Sequence, residues 1–95
     1  MACNHTLHEI ERIVVDVYRR LLKDDSITKF SRFGSGKEID IDVEARRAFF
    51  FPIKQNVDRT PHCAIAKLTP DDVQNARTVG DIIDAIADEF GVVAV

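Results

Sequence analysis

The stretch TVGDIIDAIADEF, residues 78–90, decides the fold because it predicts an amphipathic helix with a marked beginning and end. Its apolar residues recur three or four positions apart and so share one helical face; they are Val79, Ile82, Ile83, Ile86 and Phe90. Thr78 can cap the first turn, and Asp81 lies beside the positive end of the helix. Gly91 follows as a left-handed stop. We therefore predict a helix over residues 78–90.

A second capped helix is predicted near the start of the chain. Thr6 and Glu9 have the Thr-x-x-Glu spacing of a capping box, in which each side chain accepts a hydrogen bond from the other residue's amide. The apolar positions that follow also have helical spacing; they are Ile10, Ile13, Val14, Val17, Tyr18 and Leu21. The predicted helix runs from about Leu7 to Leu22.

A short helix is predicted just before the C-terminal one. Thr69 is placed to cap it, Pro70 suits the first helical position, and Asp71 and Asp72 fill the first turn. The segment has few apolar residues, so we expect only one or two turns packed on the core.

The middle of the chain allows two interpretations. Residues 38–45 alternate apolar and acidic side chains, as a half-buried strand does. Asp42 is nevertheless a good helix cap, and helix-forming residues dominate the next positions, so a helix starting near Asp42 is favoured. Pro52 is expected to kink or end that helix. Residues 56–67, which include Pro61, are predicted to be a loop with a short turn.

Together these elements predict one all-α domain over residues 1–95, a small four-helix bundle with three longer helices and one short one. Its core is expected to contain the inward-facing apolar residues of the helices. The predicted core residues are Ile10, Val14, Val17, Leu21, Ile41, Ala45, Phe49, Ile53, Val79, Ile82, Ile83, Ile86 and Phe90.

The composition is that of a globular chain, with 45% hydrophobic and 31% charged residues. A net charge of −3 argues against nucleic acid as a partner, because such binding depends on cationic contacts to phosphates. The longest apolar run, residues 48–53, is too short to span a membrane and contains Pro52. The first residues do not resemble a signal peptide, so we expect a monomer in the cytoplasm that contacts no membrane.

The C-terminal part of the sequence resembles that of the acyl carrier proteins. Residues 68–86 read LTPDDVQNARTVGDIIDAI, similar to the Pro-Asp segment before that family's third helix and the Thr-Val-Gly-Asp start of its fourth. Phe30, Phe33 and Gly34 also resemble residues of the family's long first loop. The resemblance implies an acyl-carrier-type bundle that docks on acyl-transfer or biosynthetic enzymes, in fatty-acid or polyketide-type metabolism.

The same resemblance raises the question of a 4′-phosphopantetheine arm. Carrier proteins attach it to the serine of an Asp-Ser-Leu motif at the start of helix two. Here the corresponding position is Lys37, counted from the loop, or Asp42, counted from the helix start. Neither residue has a hydroxyl, so the arm is disfavoured. Ser35 and Ser26 are the two remaining candidate attachment sites.

The alternative is an adaptor or regulatory protein that keeps the carrier fold and binds a protein partner without an arm. Its predicted contact residues are Arg46 and Arg47, with Phe50 and Phe51 from the Phe triplet. Three consecutive aromatics cannot all share one side of a helix, so at least one is expected at the rim of the core or on the surface, unless all three pack between helices. An independent enzyme is not expected, since no catalytic constellation can be assembled from the sequence.

Metal binding is also not expected from the sequence. Cys3, His5, His8, His62 and Cys63 are soft ligands, but their spacing matches no zinc-finger pattern. Two cysteines are too few for a disulfide framework, so both are expected to be reduced thiols.

Overall fold

Five helices form the regular structure in the computed structural model, which describes residues 3, 5–60 and 62–92. They are α1 (Leu7–Leu22), α2 (Val43–Ala48), α3 (Phe50–Asp58), α4 (Pro70–Asn75) and α5 (Val79–Glu89). Strand pairing in this part of the chain is limited to two isolated bridges, Arg32 with Thr78 and Phe33 with Ile39. The predicted all-α class is thus confirmed. Among the described helices, none has the length and apolar character needed to cross a membrane.

Helix α1 has the predicted boundaries, and its capping box is formed. The Glu9 amide donates to the Thr6 hydroxyl at 3.1 Å, and the Thr6 amide donates to the Glu9 carboxylate at 3.2 Å. The helix ends where Lys23 adopts a left-handed backbone conformation with φ 53°. Both ends are therefore set by local hydrogen bonding and backbone geometry.

The helix predicted to start at Asp42 is formed, but it is divided into α2 and α3 at Phe49. Pro52 causes the break four residues upstream of itself, because a proline ring clashes with the carbonyl at position i−4, here that of Ala48. Pro52 itself lies in the first turn of α3, where an amide has no intrahelical acceptor. Of the two expected effects of Pro52, a kink or an end, the helix does not end there, since α3 continues to Asp58 and the interruption lies upstream at Phe49.

The strand interpretation of residues 38–45 is not supported. Asp42 caps α2 by accepting a hydrogen bond from the Ala45 amide at 2.7 Å, and helical structure starts at Val43. Before it, the Ile39 amide donates to the Arg32 carbonyl at 2.9 Å, which folds the loop back on itself. Ile39 is consequently buried although it belongs to no helix.

Helices α4 and α5 begin at Pro70 and Val79, each directly after the threonine predicted to cap it, and both capping boxes are complete. The amide of Gly80 donates to the Lys29 carbonyl at 2.7 Å, and a Cβ at Gly80 would lie only 3.0 Å from that oxygen. Glycine is therefore needed for this close approach of α5 to the long loop. Gly91, with φ 71°, follows α5 as predicted.

The connection from α3 to α4 is fixed by two carboxylates. Glu89 of α5 accepts hydrogen bonds from the amides of Ala66, Lys67 and Leu68 at 2.6–2.9 Å. Asp58 accepts one from the Ile65 amide at 2.8 Å. The predicted loop over residues 56–67 is thus shorter than expected and firmly anchored. Pro61, which the prediction included, lies outside the described residues.

The core lies where α1 packs against α3 and α5, while α2 packs against α4. At its centre Tyr18 is fully buried and stacks on Phe49, with ring centroids 4.4 Å apart. Beyond the predicted core, several residues outside the clear helical stripes are also buried. They are Ile27, Phe33, Ile39, Val57, Cys63, Ile65, Leu68 and Ala76.

Four of the predicted core residues are less buried than expected. Leu21 is 53% exposed, because Leu22 lies four positions after Tyr18 and takes the inward position in the last turn of α1. Ile41 and Phe90 lie at element ends, where they pack only partly against the core. Ala45 is half-buried, and none of the residues of α2 is fully buried.

Truncation of one core residue in α5 tests this packing. Ile83 is 2% exposed, so Ile83→Ala should lower the free energy of unfolding by about 2–5 kcal/mol, through lost burial and the cavity left behind. Asp84→Ala, on the exposed side of the same helix, should change it by less than about 0.5 kcal/mol. Chemical denaturation measures both, and equal small effects would show that Ile83 is not a core residue.

Candidate functional site

The loop between α1 and α2 carries both candidate serines. Ser26 is exposed, and its amide and hydroxyl both donate to the Asp24 carboxylate, at 3.0 and 2.5 Å. The Ser26 hydroxyl bond, followed by the amide bond, lowers the pKa of Asp24. Ser26 thus stabilises the turn that follows α1, and its hydroxyl is engaged there.

Ser35 lies at the tip of the same loop and is exposed. The glycines on either side both have positive φ angles, 142° at Gly34 and 73° at Gly36, so the backbone turns sharply around the serine. The Lys37 amide closes this turn by donating to the Gly34 carbonyl at 3.1 Å. The Ser35 hydroxyl is accessible but stands on a turn, without a helix behind it.

The two positions that correspond to the carrier-protein serine lie in the same region. Lys37 is exposed in the loop, and Asp42 uses its carboxylate to cap α2. The start of α2 therefore presents a carboxylate where the resemblance calls for a hydroxyl.

An ion pair braces this loop. The Arg32 guanidinium donates to both oxygens of the Glu38 carboxylate, at 3.0 and 2.9 Å. The Arg32 amide donates to the same carboxylate at 3.1 Å. The bond from the Arg32 side chain is the main cause that lowers the pKa of Glu38 to about 2. Glu38 is thus held ionised and links the two sides of the turn that carries Ser35.

The predicted partner-binding residues lie in two environments. Phe51 is 63% exposed, whereas Phe50 is buried with an exposure of 8%. Phe50 therefore belongs to the core in this structure and does not present its ring to a partner. Arg46 is half-buried, and its Nε has no hydrogen-bond partner among the described residues. Arg47 is exposed and bonds to Asp71 and Gln74 of α4.

A surface stripe connects the exposed members of this group. Val43, Arg47 and Phe51 are four positions apart, and Phe49 between the two helices keeps a helical backbone, so the three share one side of α2 and α3. Val43 is 45% exposed, which is high for a valine. We call these three residues the outer stripe. Val43 was not among the predicted contact residues, although its spacing from Arg47 and Phe51 could have indicated it.

A surface groove beside α1 does not involve the outer stripe. It has a volume of about 740 Å³ and runs beside α1, where Arg12, Asp16, Arg19 and Arg59 line it among other residues. Acyl chains bind in apolar cavities, so this charged groove does not provide a site for one.

The structure also brings together three of the five soft ligands in the sequence, Cys3, His5 and Cys63. Cys3 and Cys63 form a disulfide, so the expectation that both are reduced thiols is wrong for this structure. His5 lies beside them, and the three ligand atoms are within 4.8 Å of one another. His8 and His62 are exposed and are not part of the group. The pairing of Cys3 with Cys63 spans 60 residues, and no local pattern indicates it.

His5 is unusual within this cluster because it is a buried polar side chain. Its side chain is 4% exposed, and neither ring nitrogen has a hydrogen-bond partner among the described residues. The nearest carboxylate oxygen is Oε2 of Glu9, 3.6 Å from Nδ1, which is too long for a hydrogen bond. The Thr6 amide, which donates to Glu9, lowers the pKa of that carboxyl.

Comparisons with known proteins give no relative from which a role could be taken. No family model, no curated protein and no solved structure matches the chain. The sites above therefore depend on their own chemistry and geometry.

The ion pair in the long loop can be tested by titration. The Glu38 side chain should titrate with a pKa of about 2, and Arg32→Ala should raise this pKa towards 4.5. The pKa of Glu38 is lower in the folded protein than in the unfolded chain, so the ion pair stabilises the loop at pH values above the unfolded pKa. This stabilisation is lost as the pH falls towards 2 and Glu38 becomes protonated. Carboxyl carbon shifts measured by NMR give both values. An unchanged Glu38 pKa in Arg32→Ala would contradict the assignment.

Proposed function

We propose that this protein is an acyl-carrier-protein-like docking protein that binds a partner enzyme through the outer stripe and carries no phosphopantetheine arm. The observation that carries the proposal is the start of α2, where Asp42 caps the helix and no hydroxyl is present. The exposed outer stripe follows directly, on α2 and α3.

The order and lengths of the helices support the carrier-like part of this proposal. A long first helix is followed by a long loop, a divided second helix, a short helix after Thr69-Pro70, and a capped final helix. This is the order that the resemblance implies. The divided second helix and the anchored connection after it are the main departures from it.

The chemistry of the outer stripe indicates what kind of partner surface it fits. Phe51 and Val43 offer exposed apolar area, and the Arg47 guanidinium between them, which bonds to Asp71 and Gln74 through Nη1, has further N–H groups that can donate to a carboxylate of a partner. Arginine and aromatic side chains supply much of the binding energy in protein interfaces. We therefore expect a partner surface with an apolar patch and acidic groups next to it. Arg46 remains a predicted contact at the edge of this surface.

An atypical carrier is the second candidate, and one observation favours it. The Ser35 hydroxyl is exposed on a sharply turned loop, where a transferase could reach it. Ser26 is the weaker candidate because its hydroxyl is bonded to Asp24. Neither serine lies at the start of a helix, which is where the modified serine of the carrier family is positioned.

The remaining parts of the proposal concern the protein's surroundings. A net charge of −3 supports a protein partner over nucleic acid, and a monomeric, cytoplasmic protein that contacts no membrane is proposed. The Cys3–Cys63 disulfide bears on the location, because disulfides persist mainly in oxidising compartments. The redox state of these cysteines in cells tests the cytoplasmic proposal.

The absence of an arm is tested by mass spectrometry. The protein is incubated with coenzyme A and a promiscuous phosphopantetheinyl transferase, with a carrier protein that has an Asp-Ser-Leu motif as the positive control. We expect no mass change, because the start of α2 has no hydroxyl. An increase by one phosphopantetheine that is abolished by Ser35→Ala or Ser26→Ala would make the protein a true carrier.

The docking surface is tested with a photo-crosslinking phenylalanine analogue at position 51. Position 30 is the matched control, because Phe30 is also exposed, at 75%, but lies in the long loop. In cell extract, position 51 should crosslink an enzyme of acyl metabolism that position 30 does not. With that purified enzyme, Phe51→Ser or Arg47→Glu should raise the Kd at least about tenfold, or 1.4 kcal/mol, while Phe30→Ser should not. Equal effects at both positions would contradict the proposed surface.

A further inference from the structure

The cluster of Cys3, His5 and Cys63 has a feature that the disulfide alone does not explain. His5 is buried next to the sulfur atoms with both ring nitrogens unpaired among the described residues. A buried polar group without a hydrogen-bond partner destabilises a fold, because its desolvation is not compensated. A disulfide offers such a ring no strong hydrogen-bond partner, so the position of His5 suggests a second state of the cluster.

The ligand types in the cluster favour one kind of second state. Two cysteine thiolates and one imidazole form a donor set typical of zinc. Zinc holds sulfur at about 2.3 Å and nitrogen at about 2.0–2.1 Å, so its ligand atoms lie within about 4 Å of one another. The ligand atoms here already lie within 4.8 Å of one another, and the two sulfurs, which are bonded in the disulfide, would move apart to reach a common ion after reduction.

Glu9 is placed to become the partner that such a site needs behind its histidine, although its 3.6 Å distance from Nδ1 exceeds hydrogen-bond length while the disulfide is intact. Zinc-binding histidines donate their other ring N–H to a carboxylate or carbonyl, which fixes the orientation of the ring. Nδ1 of His5 faces Oε2 of Glu9 at 3.6 Å, while the Thr6 amide holds Oε1. The capping box of α1 thereby positions Glu9 next to His5, and Nε2 is left as the ligand atom.

We propose that reduction of the Cys3–Cys63 disulfide converts this cluster into a zinc site, with the two sulfurs and Nε2 of His5 as ligands. Glu9 is the positioning residue for His5, and a solvent molecule completes the four-coordinate shell. This site is separate from the outer stripe and does not depend on the proposed docking function.

The conversion consists of two steps, reduction of the disulfide and binding of zinc by the resulting thiols. A trialkylphosphine and water reduce the disulfide, giving two thiols and one phosphine oxide, so that the S–S bond is broken by two electrons from phosphorus. Zinc then displaces one proton from each thiol, forming two zinc–sulfur bonds and releasing two protons. The disulfide form cannot bind zinc in this way, because it has no thiolates.

The first experiment uses cobalt as a spectroscopic probe for zinc. The full chain is prepared oxidised and reduced with a phosphine, and each form is titrated with Co²⁺ and then with Zn²⁺. The reduced protein should bind one equivalent of Co²⁺ with a thiolate-to-cobalt absorption band, and Zn²⁺ should remove that band. The oxidised protein should bind none. No stoichiometric binding by the reduced protein, whether it keeps its helical circular dichroism or not, would overturn the proposal.

The role of His5 is tested with matched variants of the reduced protein. His5→Ala should weaken zinc binding at least tenfold, whereas His8→Ala, exposed in the first turn of α1, should not change it. Glu9→Gln should weaken binding about tenfold, as expected for a carboxylate behind a zinc-binding histidine. In the wild-type protein, zinc should shift the Nε2 resonance of His5 in ¹⁵N NMR. Zinc binding that leaves this resonance unchanged, or that is equally tight in His5→Ala, would overturn the proposal.

Discussion

The ring of Tyr18 brings three parts of this fold into contact with one another. It belongs to α1, stacks on Phe49 at the break between α2 and α3, and lies 5.4 Å from the ring of Phe33 in the long loop. Tyr18 is fully buried, and its burial raises the pKa of the phenol. The buried hydroxyl has no partner among the described residues, so the apolar and aromatic contacts of the ring must outweigh its desolvation.

The contact with Tyr18 also determines which residues reach the surface. Once Phe49 faces inward, each following side chain is rotated by about 100° around the helix axis relative to the one before it. Phe50 remains buried, and Phe51 points to solvent. Pro52 helps to fix this arrangement because it places the break at Ala48 and Phe49. The exposure of the Phe51 ring is therefore a consequence of core packing. For this reason the sequence of the Phe triplet alone could not show whether Phe50 or Phe51 is exposed.

The sequence predicted those elements whose boundaries depend on local chemistry. Helices α1, α4 and α5 each start at a threonine cap followed three residues later by an acidic residue, and all three were placed correctly. The buried residues of the loops could not be predicted, because Ile27, Ile39 and Ile65 have no periodicity and are buried by tertiary contacts. The Cys3–His5–Cys63 cluster was missed for the same reason, since its cysteines are 60 residues apart. The candidate serines were identified from sequence alone, but their accessibility required the structure.

The cysteine cluster and the helices are linked through chain entropy. A cross-link that closes a loop of 60 residues stabilises the folded state by about 4 kcal/mol in the chain-entropy description. Reduction removes that constraint from a small domain, whose total stability is typically about 5–15 kcal/mol. A zinc ion held by Cys3 and Cys63 would join the same two segments, the one before α1 and the one between α3 and α4. Under the proposed exchange, the packing of α1 on α3, and with it the position of the outer stripe, is cross-linked in both redox states.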